Sequence, residues 1–387
     1  MFRTTHFHVG NGDMTLIRLP SGRTLLVDIN IRGAADEPTD PTPDVAAQLR
    51  ERLERDPDGR PFVDAMLLTH PDEDHCRGLA KHFHLGPRDA AVDNEKIVIR
   101  EMWSSPIVFR RAKRRDKPLS PDALAWGREA RRRARVFSPG RTPAEGDRIL
   151  ILGHDEDRSK TADREPIVVS PGERIETIGG LRDPEFSARL LGPLPVAAHE
   201  DEEELLSKNN SSVIVQVALG GSESSAATPS HYLFGGDAEV AIWERIRARY
   251  ARDEDWLRYD VLIAPHHCSW RSLSRDSWSE HPDPQVSPDA RWSLSRTEGG
   301  AMVIASSVAI DPAKSDPPCD GARQEYERIV AEATPPGQFL CLGAERGHGP
   351  YELEITTEGP RPVRRGAIAA SAVAAPGGLG RQPTGHG

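Results

Sequence analysis

Four side chains able to bind a metal ion, His70, Asp72, Asp74 and His75, fall within the stretch His70-Pro71-Asp72-Glu73-Asp74-His75. Imidazole and carboxylate groups at such close spacing can turn inward from one short loop, so a single segment supplies two sets of ligands. More candidates stand far downstream, at Gly236-Asp237 and Pro265-His266-His267. A hydrolytic metal site needs ligands fixed in space and one position left open for water. Metal-dependent hydrolysis is therefore the chemistry these residue types point to. The sequence contains no phosphate-cradling GxxxxGK[ST] loop, no GxSxG elbow and no Rossmann glycine pattern, which disfavours P-loop and serine-esterase chemistry.

Rigid strands with loops at their C-terminal ends would hold such ligands. The apolar run 62–69 reads as a buried strand ending at His70, and residues 76–83 read as the helix after it. Short apolar runs at 232–234 and 261–264 lead to Asp237 and to the His266-His267 pair in the same way. Near the N-terminus, strand-like segments at 5–9, 14–19 and 24–28 are joined by a Gly10-Asn11-Gly12-Asp13 turn and a Pro20-Ser21-Gly22 turn, the second closing a hairpin. Runs at 174–178, 186–191 and 212–217 suit further strands, and 45–55, 240–251 and 324–333 suit helices. Ser120-Pro121-Asp122 has Ser at the cap and Pro at the first helical position, so it starts a helix over 123–136. Strands in both halves with few long helices predict an α/β (α+β) fold of layered sheets with helices outside. Residues 86–165 are the least regular and are read as an insertion or lid in a domain spanning 1–358; 359–387, rich in Pro, Gly, Ala and Arg, are read as a disordered tail.

With these segments in order, the chain resembles metallo-β-lactamase-fold hydrolases, whose signature is His-x-His-x-Asp-His followed by a His, a Gly-Asp and a last His. Asp72 stands where that signature has its second His. The same departure is found in the soluble nuclease-like domain of ComEC-type competence proteins. Val9-Gly10-Asn11-Gly12-Asp13 resembles that domain's Val-Gly-Gln-Gly-Asp turn, Asn209-Asn210-Ser211-Ser212 its Asn-Asn-x-Ser segment, and Pro265-His266-His267-Cys268-Ser269 its His-His-Gly-Ser, with Cys268 in place of Gly. The resemblance runs from about Phe7 to Ile355 and implies an αββα sandwich.

It also implies His70, Asp72, Asp74, His75 and Asp237 as metal ligands, with Asp237 bridging. His267 fits the last ligand position, and His266 either orients it or faces substrate, with a register one residue earlier left open. Asp28, after its strand, is a candidate carboxylate for orienting a ligand His. The implied cofactor is one or two divalent ions, Zn²⁺ or Mn²⁺, because the extra carboxylate favours harder ions than an all-imidazole set would. The implied function is that of a phosphodiesterase or nuclease acting on DNA or RNA through a metal-held hydroxide. Asp74 and Asp237 would be at the reaction centre, and Lys208, Asn209, Asn210 and Ser211 would offer donors to phosphate. The alternatives are a small-molecule metallohydrolase for a cyclic nucleotide, lactone or other ester, and a catalytically poor interaction protein of the same fold.

Other residues invite chemistry and have plainer roles. Cys76 and Cys268 each follow a candidate ligand His, and their side chains are expected to turn into the core. His6, His8, His82 and His84 form alternating pairs and are read as surface residues. Across 387 residues the formal charge is -10, yet residues 100–135 hold twelve Arg or Lys against four Asp or Glu, a local +8. The cluster Arg110-Arg111-Ala112-Lys113-Arg114-Arg115 and the Arg128 to Arg135 helix face could follow a phosphate backbone or simply be solvated. Trp103, Trp126 and Trp270 could stack on bases or pack in the core, and Asp201-Glu202-Glu203-Glu204 reads as a solvated acidic loop. Four scattered cysteines argue against a disulfide framework. No apolar run is long enough to span a bilayer and no secretory signal is evident, so the expected partner is nucleic acid or another phosphodiester, not a membrane, and the expected location is the cytoplasm.

Overall fold

Alternation along the first hairpin sets the layering of the molecule. In a computed structural model of the protein, Leu16 and Leu26 face one side of a sheet, while Ile17, Leu25 and Val27 face the other. Period-two side chains on strands buried on both faces require cover on both sides. The structure describes residues 1–37, 39–90, 95–109, 119–154, 162–195, 209–221, 228–314, 316–345, 347 and 349–363. The basic cluster 110–115, the acidic run 201–204, Lys208 and the chain beyond 363 lie outside them.

The first half contains β1 (Phe2–His6), β2 (Thr15–Arg18), β3 (Thr24–Val27), β4 (Ile29–Asn30), α1 (Val45–Arg50), β5 (Phe62–Leu68), α2 (Glu73–Cys76), α3 (Leu79–His82), β6 (Phe83–His84), β7 (Ile97–Ser104), α4 (Pro121–Val136), β8 (Arg148–Leu152) and β9 (Val168–Val169). After these come β10 (Arg174–Ile175), β11 (Thr177–Ile178), β12 (Leu181–Arg182), β13 (Phe186–Gly192), β14 (Ile214–Leu219), β15 (Ser230–Phe234), α5 (Val240–Tyr250), β16 (Tyr259–Ile263), α6 (Pro288–Leu294), β17 (Thr297–Val308), α7 (Asp320–Ala331), β18 (Gln338–Gly343), β19 (Tyr351–Thr356) and β20 (Gly359–Pro362). One sheet runs β20-β19-β1-β2-β3-β5-β7-β8-β9 with β6 beside β7, and the other runs β10-β13-β14-β15-β16-β17-β18. The protein is mixed α/β, as expected.

Three apolar clusters glue four layers together. The middle one joins the sheets, bringing Val27, Leu67 and Trp103 against Val215, Phe234 and Ile263. A second packs the outer face of the first sheet against α1, α3 and α4 through Leu49, Leu79 and Trp126. A third packs the second sheet against α5, α6 and α7 through Trp243, Leu294 and Tyr326. Each such side chain fully buried contributes about 1.5–3 kcal/mol.

Strand direction then decides what meets at one end. β3, β5, β7 and β8 are mutually parallel, as are β15, β16 and β17. β1 is antiparallel to β2, and β2 to β3, so β1 points the same way as β3. The segments after β1, β3, β5, β15 and β16 carry Asp13, Asp28, His70 to His75, Asp237 and the His266-His267 pair.

Several elements differ from expectation. Residues 86–165 contain β7, which lies between β5 and β8, so this region carries part of the main sheet. Arg100 and Glu101 break the apolar run of β7 and disguise it. Each is held inside the fold, Arg100 Nη1 donating to Asp64 Oδ1 at 2.9 Å and Glu101 Oε2 accepting from Trp103 Nε1 at 3.0 Å. The helix expected over 76–83 is two short pieces, parted at Gly78, where φ is +90° and a Cβ would lie 2.7 Å from Ile31. Order extends into the expected tail, because β20 pairs antiparallel with β19. The start of α4 is as expected, with Ser120 Oγ accepting from Ala123 N at 3.2 Å. No helix among the described residues is long and apolar enough to cross a membrane.

Candidate metal centre

Asp237 is the hub of the site. β15 ends at Phe234, and Gly235-Gly236 turn the chain so that Asp237 is delivered into the rim between the sheets. Gly236 has φ +50° and a Cβ there would lie 2.9 Å from both Ser212 Oγ and Thr69 Oγ1, so the close approach requires glycine. Asp237 N donates to Ser212 Oγ at 3.1 Å, and Val213 N donates to Thr69 O at 2.9 Å, tying the two sheets together beneath the centre.

The two carboxylate oxygens of Asp237 face different imidazoles. Oδ1 lies 2.9 Å from His75 Nε2 and 3.6 Å from His267 Nε2. Oδ2 lies 3.6 Å from His70 Nε2 and 3.7 Å from His266 Nε2. Asp74 Oδ2 approaches His267 Nε2 at 3.2 Å, and Asp72 Oδ2 approaches His70 Nε2 at 3.8 Å. All seven residues expected as ligands, His70, Asp72, Asp74, His75, Asp237, His266 and His267, are therefore gathered at one point.

Backbone strain marks the last pair. His266, His267 and Cys268 have φ of 52°, 54° and 68°, three successive residues in the left-handed region that side chains with a Cβ disfavour. Asp28 shares this conformation at φ 53°. Such strain persists only where the surroundings over-determine it, as at binding sites.

Asp28 is a clamp on the His75 ring. Its Oδ2 lies 2.8 Å from His75 Nδ1 and accepts from Thr69 Oγ1 at 2.6 Å, while Oδ1 accepts from Thr69 N at 2.7 Å. With Nδ1–H donated to a carboxylate, Nε2 of His75 faces the centre and is the nitrogen whose lone pair an ion there would take.

The electrostatics follow from that crowding. Burial lowers the His70 pKa, and neighbouring His75 lowers it further. His75 is equally buried, but Asp237 and Asp28 outweigh burial and hold it well above the usual imidazole range. Burial likewise opposes protonation of His267, yet Asp237, Asp13 and Asp74 raise it to about 10. Burial would push Asp237 up, but His75, His267, His70 and His266 hold it well below the carboxylate range. Protons on His75 and His267 thus balance the carboxylates, a role a cation at the same point would take over.

The donor set fits a metal ion. Asp13, His75, Asp237 and His267 are buried and offer ligand atoms within 4.8 Å of one another. Nε2 of His70 and His75, both ring nitrogens of His267, and Oδ1 of Asp13 and Asp237 are buried without a hydrogen-bond partner among the described residues. Orphaned polar atoms are costly to bury, and a ligated cation removes the cost. Imidazole nitrogen and carboxylate oxygen are ordinary ligands for divalent ions.

Asp13 was absent from the expected site residues although its turn was singled out. Its signal was the glycine before it. Gly12 has φ +147°, and a Cβ would come 2.2 Å from Asn30 Nδ2 and 2.6 Å from Asp74 O, so the turn presses directly on the ligand loop.

The Asn209–Ser211 segment borders the centre, since Glu239 Oε1 lies 3.8 Å from His266 Nδ1. Asn210 Oδ1 accepts from Glu239 N at 3.2 Å and Asn209 Nδ2 donates to Glu239 Oε1 at 3.3 Å, placing this segment at the start of α5. Cys76 Sγ donates to Asp72 O at 3.0 Å and burial raises its pKa to about 12; Cys268 is buried in the outer core of the second sheet. Both thiols turn inward, as expected. Trp103 and Trp126 are fully buried, and Trp270 nearly so. On α4, Arg132 and Arg133 pair with Glu129, and Arg131 Nη2 donates to Val108 O, while Arg128 and Arg135 are exposed. His6 and His82 are buried, not on the surface, because Thr4 and Thr15 hydroxyls satisfy His6 and Arg50 meets His82. No protein-family model matches the chain, and no curated protein matches it.

Proposed function

We propose that the protein is a metal-dependent hydrolase of the metallo-β-lactamase fold that cleaves phosphodiesters, with nucleic acid as its substrate. The observation that carries the reading is Asp237 set between two imidazole pairs, one on each carboxylate oxygen. Two divalent ions would share Asp237, one held by His75, His267 and Asp74 and the other by His70, His266 and Asp72. The mixture of carboxylate and imidazole suits Zn²⁺ or Mn²⁺. The layering of helices outside two facing sheets, with ligands at the strand ends, supports the family reading.

A divalent ion bound here lowers the pKa of water and neutralises charge on phosphoryl oxygens. The chain's own groups do the rest. His70, His75 and Asp237 are sealed from solvent, whereas the Asp74 and Asp72 side chains are 34% and 25% exposed, so the carboxylates of the ligand loop line the open side. Substrate approaches across that side, where Asp74 can hold a water by hydrogen bonding. His266, 14% exposed, stands at the same opening. The phosphodiester class rests on Asp72 in place of imidazole and on the basic run 110–115.

The test is cleavage of single- and double-stranded DNA and RNA by purified protein supplied with Zn²⁺, Mn²⁺ or Mg²⁺. Turnover is expected with at least one ion. Asp74→Ala should reduce it by at least 100-fold with little change in melting temperature, because the side chain is partly exposed. Absence of cleavage with all three ions sinks the nuclease reading, and turnover only on a cyclic nucleotide or lactone would replace it with the small-molecule one.

A further inference from the structure

We infer that Asp13 is a positioning residue for the metal centre: it holds the His267 ring from behind, on Nδ1, so that Nε2 points to the ion. The inference rests on the metal centre proposed above and adds a residue whose role the ligand motif does not supply. His267 presents its two nitrogens to different neighbours. Nε2 faces Asp74 Oδ2 at 3.2 Å and Asp237 Oδ1 at 3.6 Å, while Nδ1 faces Asp13 Oδ1 at 3.7 Å. The two ring nitrogens diverge, so an ion on Nε2 leaves Nδ1–H free to donate elsewhere.

His75 provides the comparison inside the same molecule. Its Nε2 faces Asp237 Oδ1 and its Nδ1 meets the carboxylate of Asp28 at 2.8 Å. Asp13 stands to His267 as Asp28 stands to His75. Both acids are buried. At 3.7 Å the Asp13 contact is longer than a hydrogen bond, and a small rotation of the ring closes it.

The Asp13 turn is braced as a positioning device must be. Asn30 Nδ2 donates to Val9 O at 3.2 Å and to Asn11 O at 2.9 Å. Asn11 Oδ1 accepts from Val308 N at 3.0 Å and its Nδ2 donates to Pro317 O at 3.2 Å. Ser306 Oγ donates to Gly12 O at 2.6 Å. The turn is therefore fastened to both sheets, whereas Asp13 Oδ1 has no hydrogen-bond partner among the described residues. A left-handed backbone at His267 sets where the ring starts but not how it is rotated. Asp13 is placed to set the rotation.

Metal-free wild type, Asp13→Ala and Asp13→Asn are titrated with Mn²⁺ by calorimetry, and Co²⁺ spectra and metal content are recorded at saturation. Asp13→Ala should weaken binding by about 10- to 100-fold, the range for outer partners of ligand imidazoles. Metal content and Co²⁺ spectrum at saturation should stay those of wild type, and Asp13→Asn, which keeps a carbonyl acceptor, should recover most of the affinity. Loss of an ion or a changed Co²⁺ spectrum would make Asp13 a direct ligand and overturn the inference, as would wild-type affinity in the Ala variant. A measurement on the Zn²⁺-loaded wild type needs no variant: ¹⁵N NMR of His267 should show the proton on Nδ1, and a proton on Nε2 overturns it. A wild type that takes up no metal removes both this inference and the proposed function; one that binds metal and cleaves nothing removes only the function.

Discussion

Asp28, itself fully buried, receives three contacts of 2.6 to 2.8 Å from Thr69 and His75. A buried carboxylate is tolerable only when its oxygens are satisfied, and here the satisfaction also fixes the His75 ring. Asp28→Asn removes the charge and offers an amide donor toward His75 Nδ1 or Thr69 N. The expected outcome is metal affinity lower by about 10- to 100-fold, read by competition with a chelator; unchanged affinity would show that His75 needs no such partner. At this scale the sequence was most legible. Residue type and spacing marked His70, Asp72, Asp74, His75, Asp237 and the histidine pair, and the structure gathers them. Asp13 was marked only through its turn, Gly10-Asn11-Gly12-Asp13, and its place at the centre shows only in the packing of Gly12 on Asp74 O.

The ligand loop 70–75 is short and relies on α4 for support. Asp122 accepts from Gly78 N and Ala80 N, each at 2.8 Å, Trp126 Nε1 donates to Ser104 Oγ at 3.0 Å, and Ser120 both caps α4 and faces Cys76 Sγ at 3.8 Å. An element expected as part of a lid is instead a brace behind the site. Ser120→Ala removes the cap hydrogen bond and should cost about 1 kcal/mol of stability, measured by urea unfolding. A loss within error of zero would show that Pro121 and the packing of Trp126 start the helix by themselves. Element types were recoverable where apolar residues formed a run, as in β5, or recurred along a helix, as in α5. They were hidden in β7, where Arg100 and Glu101 occupy strand positions whose partners, Asp64 and Trp103, are visible only in three dimensions.

The two sheets meet along a mostly apolar interface in which His6 is an exception. Thr4 Oγ1 lies 3.2 Å from His6 Nε2 and 3.1 Å from Tyr232 Oη, and Thr15 Oγ1 lies 3.3 Å from His6 Nδ1, a polar bridge from β1 and β2 to β15. Burial lowers the His6 pKa from 6.5 to about 3. Between those values the unfolded chain binds a proton that the folded protein does not, so stability rises with pH in this window. The contribution is complete above pH 6.5 and is lost as pH falls toward 3. At pH 5 this group alone should make the protein about 2 kcal/mol less stable than at pH 7. Urea midpoints of wild type and His6→Gln at the two pH values check it, since the substitution should remove that part of the pH dependence. Parallel pH slopes for the two proteins would show that His6 is not held neutral.

By itself the sequence determined which groups could do chemistry and which strands deliver them, because ligand type, spacing and apolar periodicity are local properties of the chain. It determined a mixed α/β fold for the same reason. Tertiary structure alone decided that the loops after β1, β3, β5, β15 and β16 open at one rim, since this depends on strand direction and on how two sheets face each other. It also decided which nitrogen of each histidine faces Asp237. For His75 and His267 the other nitrogen faces a carboxylate distant in sequence, Asp28 47 residues before His75 across neighbouring strands of one sheet, and Asp13 far upstream of His267 across the two sheets.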